Sequence, residues 1–464
     1  MVVQWLNPSP SSSQIGPTLT KGADMTWELR SHRCAWVLML MALLGSILAS
    51  TSGTWAASSP KPVDSDDLDV QVGKTVEITS SFRFCWFPTV HQFPTGEIMV
   101  TMQHSPDEVN AEGDFSAYCL SRDGGQTWSR RYTMGAGCSA DGPYATVPRP
   151  DGSIWHLYSY PEPYPAGQAQ VFHDTLTKFS HGGMMIEQIR DVTLKLSEPG
   201  FMTKTGLFDR KVRDGAEETQ IRGMPWGSIV DGLHSELLCP MYYITAADAK
   251  RYQKGDAGPY RDVLLRSVDQ GQTWVQYSTI AAIPPDQKPA WVGNEGPNEA
   301  NLVRLADQRL YSIYRTGDPG MLGNAWSSDD GKTWTAPRST GLQGVAPRIL
   351  RLSNGMLALT TGRPGPIVIA FSTDGTGQKW SHVTALFSEM SIHYTGSPTQ
   401  YTRSSRWSPL FSGMSTHYTG LIELAPGKLL VVYDIVPYFV HAIPFSDAGS
   451  KNAIYGTFIE VHKK

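Results

Sequence analysis

The sequence predicts an all-β protein folded as a six-bladed β-propeller. Three observations predict it: the composition, a turn motif that recurs, and six strand–turn–strand hairpins spread along the chain. Of the 464 residues, 40% are hydrophobic, 10% aromatic and 18% charged, with 44 Gly, 32 Pro and 14 Trp. That apolar content suffices for a large core and excludes a disordered chain. Low charge with many Gly, Pro and aromatic residues excludes a helical bundle or coiled coil, which would be rich in Ala, Glu, Lys and Leu. The formal net charge is -4 with both signs interspersed. No basic tract marks a nucleic-acid partner.

The first element is an address. Arg30 and Arg33 precede the run AWVLMLMALLGSILA, Ala35 to Ala49, and the small-residue segment STSGTWAAS follows. A basic flank, an apolar stretch and small residues form a secretory signal pattern. A run of 15 residues is short for a membrane span. Residues 1–57 therefore read as a signal peptide and its preceding region, with Met25 as an alternative start. The expected location is secreted or periplasmic, with no stable membrane span after cleavage. Residues 58–75 read as a linker and 76–464 as the propeller. An exported chain permits disulfides. Cys119 and Cys138 are the closest pair, and buried free thiols are the alternative.

The turn motif is Ser-x-Asp-x-Gly-x-Thr-Trp. It appears as SRDGGQTW (121–128), SVDQGQTW (267–274) and SSDDGKTW (327–334), with a degraded copy STDGTGQKW (372–380). Ser and Asp side chains bond backbone N–H groups, Gly takes a conformation other residues resist, and Trp covers the turn. The hairpins are FPTGEIMVTM around Gly96, RPDGSIWHLY around Gly152, VDGLHSELLCP around Gly232, LADQRLYSIY around Gln308, LSNGMLALTT around Gly355 and LAPGKLLVVYD around Gly427. Each reads as apolar strand, turn, apolar strand. Six such units over about 400 residues imply four-stranded blades arranged radially, which protects their edges. The last strand, AIYGTFIEV (453–461), is expected to close the ring on VEITSSFRF (76–84). Helical periodicity is confined to Ala246–Tyr252. LFSEMSIHYTG (386–396) and LFSGMSTHYTG (410–420) read as a local duplication in a loop.

The recurring turn resembles the Asp box of the sialidase (neuraminidase) superfamily, and the six hairpins agree with that family's six-bladed propeller. The likeness covers roughly residues 76–461. Asp boxes lie on the rim, so they speak for fold and not for chemistry. The chemistry rests on other segments. NEANLVRLADQRLYSIYR (298–315) resembles the family segment in which a Glu partners the nucleophile and an Arg binds the substrate carboxylate, which implies Glu299 and Arg315. HYTGLIELAPGKLLVVYD resembles the family's final strand, whose Tyr is the nucleophile, which implies Tyr418, with Tyr394 of the duplicated copy as a weaker alternative. A carboxylate on the anomeric carbon would repel an Asp or Glu nucleophile, and a Tyr activated by Glu avoids that repulsion. Asp114, in AEGDFSAYCL, stands where the family places its acid/base, among Asp107, Glu108 and Glu112. Arg363, in LTTGRPGPIVIAF, precedes the strand to the fourth turn motif, a position the family gives to another carboxylate-binding arginine.

The likeness breaks at the first strand. The family's opening arginine falls at Trp86 in WFPTVHQFPTGEIMV. Arg83, three residues upstream, could replace it only through a register change or bulge. Three arginines grip a carboxylate through directional charge-assisted bonds, and an aromatic side chain suits stacking on an apolar sugar face instead. The resemblance implies a glycan or glycoconjugate partner and a retaining exo-sialidase reaction through Asp114, Glu299 and Tyr418. Arg315, Arg363, Trp86 and Arg83 are the substrate-binding candidates. The alternatives are a propeller hydrolase or lyase acting on a different glycan, or a non-catalytic carbohydrate-binding propeller. No residue spacing indicates a metal or a cofactor.

Overall fold

In the computed structural model, the described residues are 68–81, 84–105, 115–133, 145–158, 168–183, 185–204, 219–221, 223–249, 259–317, 320–363, 366–386, 415–435 and 452–463. The chain divides into units Met1–Ser58 and Ser59–Lys464, and all the described residues belong to the second. The expected export signal, Asp114, Arg83, Tyr394 and Cys138 lie outside them.

The strands follow in chain order. β1 is Leu68–Ser81. β2 (Phe84–Gln92), β3 (Ile98–Ser105), β4 (Phe115–Ser121) and β5 (Tyr132–Thr133) make one four-stranded sheet. A ten-stranded sheet comes next. It holds β6 (Ala145–Pro148), β7 (Ile154–Tyr158), β8 (Gln168–Phe179), β9 (Met185–Lys204), β10 (Thr219–Ile221), β11 (Gly223–Pro225), β12 (Val230–Asp231), β13 (Leu237–Tyr243), β14 (Arg261–Ser267) and β15 (Thr273–Ala282). Then come two further four-stranded sheets. One is β16 (Asn298–Arg304), β17 (Leu310–Arg315), β18 (Met321–Ser327) and β19 (Arg338–Gln343). The other is β20 (Arg348–Arg351), β21 (Leu357–Thr361), β22 (Val368–Ser372) and β23 (Ser381–Ala385). The last sheet, ordered β1-β26-β25-β24, joins β24 (Thr419–Ala425), β25 (Lys428–Ile435) and β26 (Asn452–Lys463) to the first strand. One short helix, α1 (Ala246–Ala249), lies within the segment where helical periodicity was expected.

Each predicted hairpin turn joins the first two strands of a unit. Gly96, Gly152, Gln308, Gly355 and Gly427 all take positive φ there, the conformation that closes such turns. Around Gly232 the positive φ belongs to Ser235. Apolar clusters fill the spaces between successive sheets. One lies between the last sheet and β2–β4, one against β6–β7, one inside the ten-stranded sheet, and then one at each following interface back to the last sheet. This succession returns on itself, and the architecture is an all-β, propeller-like ring.

The turn motif has the bonding its residues imply. Ser121 Oγ donates to Asp123 Oδ1 at 2.8 Å and accepts from the Gly125 N–H at 2.8 Å, while the Thr127 N–H donates to Asp123 Oδ1 at 2.9 Å. Ser267–Asp269–Gly271–Thr273 and Ser327–Asp329–Gly331–Thr333 repeat the pattern. The degraded copy keeps the Ser372, Asp374 and Gly377 bonds.

Two details bear on the expectations. β1 pairs with β26 from Leu68 onward, so residues 68–75 are sheet and not linker. The alternation of Val70 and Val76 with polar neighbours suits an edge strand with one wet face. Cys119 is a free, buried thiol, as are Cys85 and Cys239, so it forms no disulfide with Cys138. Burial pushes the Cys85 thiol up to about 12 and the Cys119 thiol up to about 11, which makes both inert at neutral pH.

Candidate active site

Four of the predicted residues meet at one place, and the backbone bends that deliver them are unusual. β16 and β17 pair at Asn298↔Arg315, and the register then slips before Asn301↔Ile313. This bulge throws out one residue and re-aims its side chain. That residue is Glu299, held at φ 53. Arg363 follows the end of β21 at φ 62, and His417 precedes Tyr418 at φ 64. A second register slip in β2, between Trp86 and Thr89, holds Phe87 at φ 49. Ala346, just before β20, is at φ 39. Left-handed non-glycine residues cost energy, and a cluster of them points to function.

Tyr418 Oη donates to Glu299 Oε1 at 2.5 Å. Arg315 donates to the same oxygen from Nη1 at 3.3 Å, and from Nη2 to Glu295 Oε1 at 3.0 Å. The Ala346 N–H donates to Glu299 Oε2 at 2.9 Å. Glu299 is 4% exposed and Arg315 5% exposed, so these bonds act in a medium of low polarisability. Burial pushes the Tyr418 phenol well above the ordinary tyrosine range. The Glu299 charge adds to that rise, and Arg315 and Arg363 oppose it. The resting tyrosine is therefore a neutral phenol whose hydroxyl proton points at a carboxylate. Asp262, buried on β14, is pushed well above the ordinary carboxyl range by burial first and by the Glu299 charge second.

Aromatic rings wall the pair. Phe87 lies 4.8 Å from the Tyr418 ring and Trp226 meets it edge-on at 5.9 Å. Gly227 lets the Trp226 loop come this close, because a Cβ there would sit 2.3 Å from the Ala300 carbonyl oxygen. Trp86 is 2% exposed and stacks on Phe87 at 4.7 Å. Trp86 thus stands next to Phe87, the ring beside Tyr418.

Asp434 was not foreseen. This carboxylate, at the end of β25, accepts from the Phe87 N–H at 2.9 Å, Ser415 Oγ at 2.9 Å, the Thr416 N–H at 2.7 Å and Thr416 Oγ1. It pins the Phe87 bend to the segment that presents Tyr418. Glu295 was also missed, although the doubled Asn-Glu in NEGPNEAN was a visible signal. Asp114 and Arg83 lie outside the described residues, so the structure brings together Glu299, Tyr418, Arg315 and Arg363.

Comparison with known proteins bears on this arrangement. The family model of the BNR repeat-like domain matches residues 217–430. A sialidase of Micromonospora viridifaciens is 24% identical over 326 residues, which cover 66% of this chain and 44% of that protein. Residues 217–430 are thus BNR repeat-like, and the chain is similar to a sialidase. It spans less than half the length of that curated relative. Among solved structures, this chain is similar to a protein of unknown function from Dyadobacter fermentans (18% identity, 85% of this chain and 99% of the other, TM-score 0.57). It is also similar to the Hadza microbial sialidase Hz136 (14% identity, 82% and 65%, TM-score 0.50). An α-L-arabinanase of Penicillium chrysogenum, solved with arabinobiose, shares the fold as well (12% identity, 84% and 98%, TM-score 0.51). At such identities these are likenesses of fold.

Proposed function

We propose that this chain is a retaining glycoside hydrolase of the exo-sialidase type. Tyr418 Oη attacks the anomeric carbon while Glu299 takes its proton. The glycosidic oxygen leaves with a proton from an acid, for which Asp114 is the candidate; water then attacks the tyrosyl glycoside, and the tyrosine oxygen leaves with the proton returned by Glu299. Arg315 and Arg363 hold the substrate carboxylate. The observation that carries this reading is the 2.5 Å hydrogen bond from Tyr418 to Glu299, two residues 119 apart in sequence. A buried, neutral tyrosine on a carboxylate is the arrangement a general base needs. Hydrolysis of a fluorogenic sialoside by the chain, lost in Tyr418→Phe, tests it. No turnover by folded wild-type protein rejects it.

One observation favours a second reading within the same chemistry. Trp86 stands where the resemblance requires an arginine, and Glu295 with Glu299 already neutralises Arg315. A sugar with a weaker demand for cationic partners, facing Phe87 and Trp226, suits those features. Release of a neutral or differently charged sugar from a panel of aryl glycosides, with the sialoside inert, would select it.

Two wider readings accompany the mechanism. Six blades are supported by the ten-stranded sheet itself, where, among the described residues, β6–β9 and β11–β15 join by a strand ladder of three residues, the parallel pairing of β15 with β9, and by two isolated bridges, Thr146 with Ser228 and Gly200 with Thr245. Export is supported by the pattern in residues 1–57, and sequencing the N-terminus of the mature chain tests it.

A further inference from the structure

Arg348 carries a charge that the site above does not use. It is the first residue of β20, two positions beyond Ala346, whose N–H holds Glu299. The strand thus sets Arg348 one step deeper than the tyrosine–glutamate pair. Its Nη2 reaches β2 and donates to Thr89 Oγ1 at 3.4 Å. β24 touches both β2 and β20. It packs on β2 so closely that a Cβ on Gly420 would lie 2.8 Å from the Val90 nitrogen. Arg348 is enclosed where these three strands converge and is 7% exposed.

A cation removed from water needs an opposing charge, because an uncompensated buried ion costs several kcal/mol. Arg315 meets that need with two glutamates. Among the described residues Arg348 has no carboxylate partner, and its Nε, fully buried, has no hydrogen-bond acceptor. Burial pushes the guanidinium down to about 10, so it stays charged at neutral pH. The groups facing it are neutral donors. Thr89, which accepts from Arg348, keeps its own hydroxyl proton to give. The His91 imidazole is pushed down to about 3 by burial and then by the Arg348 charge, so it brings an N–H without a second positive charge.

We propose that Arg348, Thr89 and His91 form a binding site for a small monovalent anion of the halide class, beneath the tyrosine–glutamate pair where β2, β20 and β24 converge. The ion supplies the missing counter-charge, and the enclosure favours a compact ion over one with an organic body. This site does not depend on the chemistry above it, so its test is structural. Thermal unfolding of the full chain is followed in sodium chloride or bromide and in sodium gluconate at equal ionic strength. The halides raise the Tm saturably, gluconate does not, and Arg348→Met abolishes the difference. A crystal grown in bromide shows an anomalous peak within hydrogen-bond reach of the guanidinium. Coincident halide and gluconate curves for the wild-type chain overturn the proposal. So does a halide shift that persists in Arg348→Met, or a bromide structure with no halide at Arg348. If that variant fails to fold, the wild-type titration and the bromide crystal still decide.

Discussion

Glu299 accepts from Tyr418, Arg315 and the Ala346 amide together, so both its oxygens are occupied and its direction is set. Glu299→Gln keeps the shape and removes the base. Turnover of the sialoside or alternative glycoside is expected to fall about 10²- to 10⁴-fold, with the circular dichroism spectrum unchanged. Asp262 gives a pH prediction. Its folded-state value lies well above the ordinary 3.8, so the folded chain binds the proton more tightly than the unfolded one. Its contribution to stability is then fully present below 3.8 and is lost as pH rises towards the folded value. Urea midpoints should decline over that rise in wild type, and Asp262→Asn should flatten this part of the profile. The candidate site residues legible in sequence were those inside recognisable segments: Glu299 and Arg315 on one hairpin, Tyr418 before another. Phe87 and Asp434 were not legible, because their role is a contact between residues 347 apart.

The turn motifs close the connection between the third and fourth strands of their units. Trp274 ends one of them with no solvent exposure, its indole N–H on the Gly271 carbonyl at 3.0 Å. Trp274→Ala should destabilise the fold by about 3–5 kcal/mol, read from chemical denaturation. Asp123 shows the acid limit of the same motif. Hydrogen bonds from the Thr127 side chain and backbone, and from Ser121, hold its carboxyl down to about 2. A depressed value stabilises the fold above 3.8, and that stability is lost as pH falls through about 2. Asp123→Asn should lessen the loss of stability over that window. These turns were plain in the sequence because their geometry demands particular residue types at fixed offsets. β8 and β9 were not, because no glycine turn of the recurring kind announces them. β9 alternates buried Val192, Leu194 and Leu196 with more exposed polar residues, and the Gly182–Gly183 pair that precedes it is not a copy of the recurring turn.

The ring is joined by β26, which lies between β25 and β1 and buries Ile454 and Ile459 completely. Ile459→Ala should cost about 2–5 kcal/mol. If the ring unfolds as one unit, fluorescence and circular dichroism will report the same shifted transition. The closure was legible as a pairing of the last strand with the first, because both are apolar runs at the ends of the repeat array. Where it begins was not, since the edge half of β1 is largely polar. The pairing also fixes an order of events. Thr75 and Thr457 share a hydrogen bond across 382 residues. A chain made from its N-terminus must therefore carry β1 without its native neighbour until the intervening strands and β26 have emerged. Closure comes after every other strand of the ring has been made, and the early strand remains a vulnerable edge through that interval.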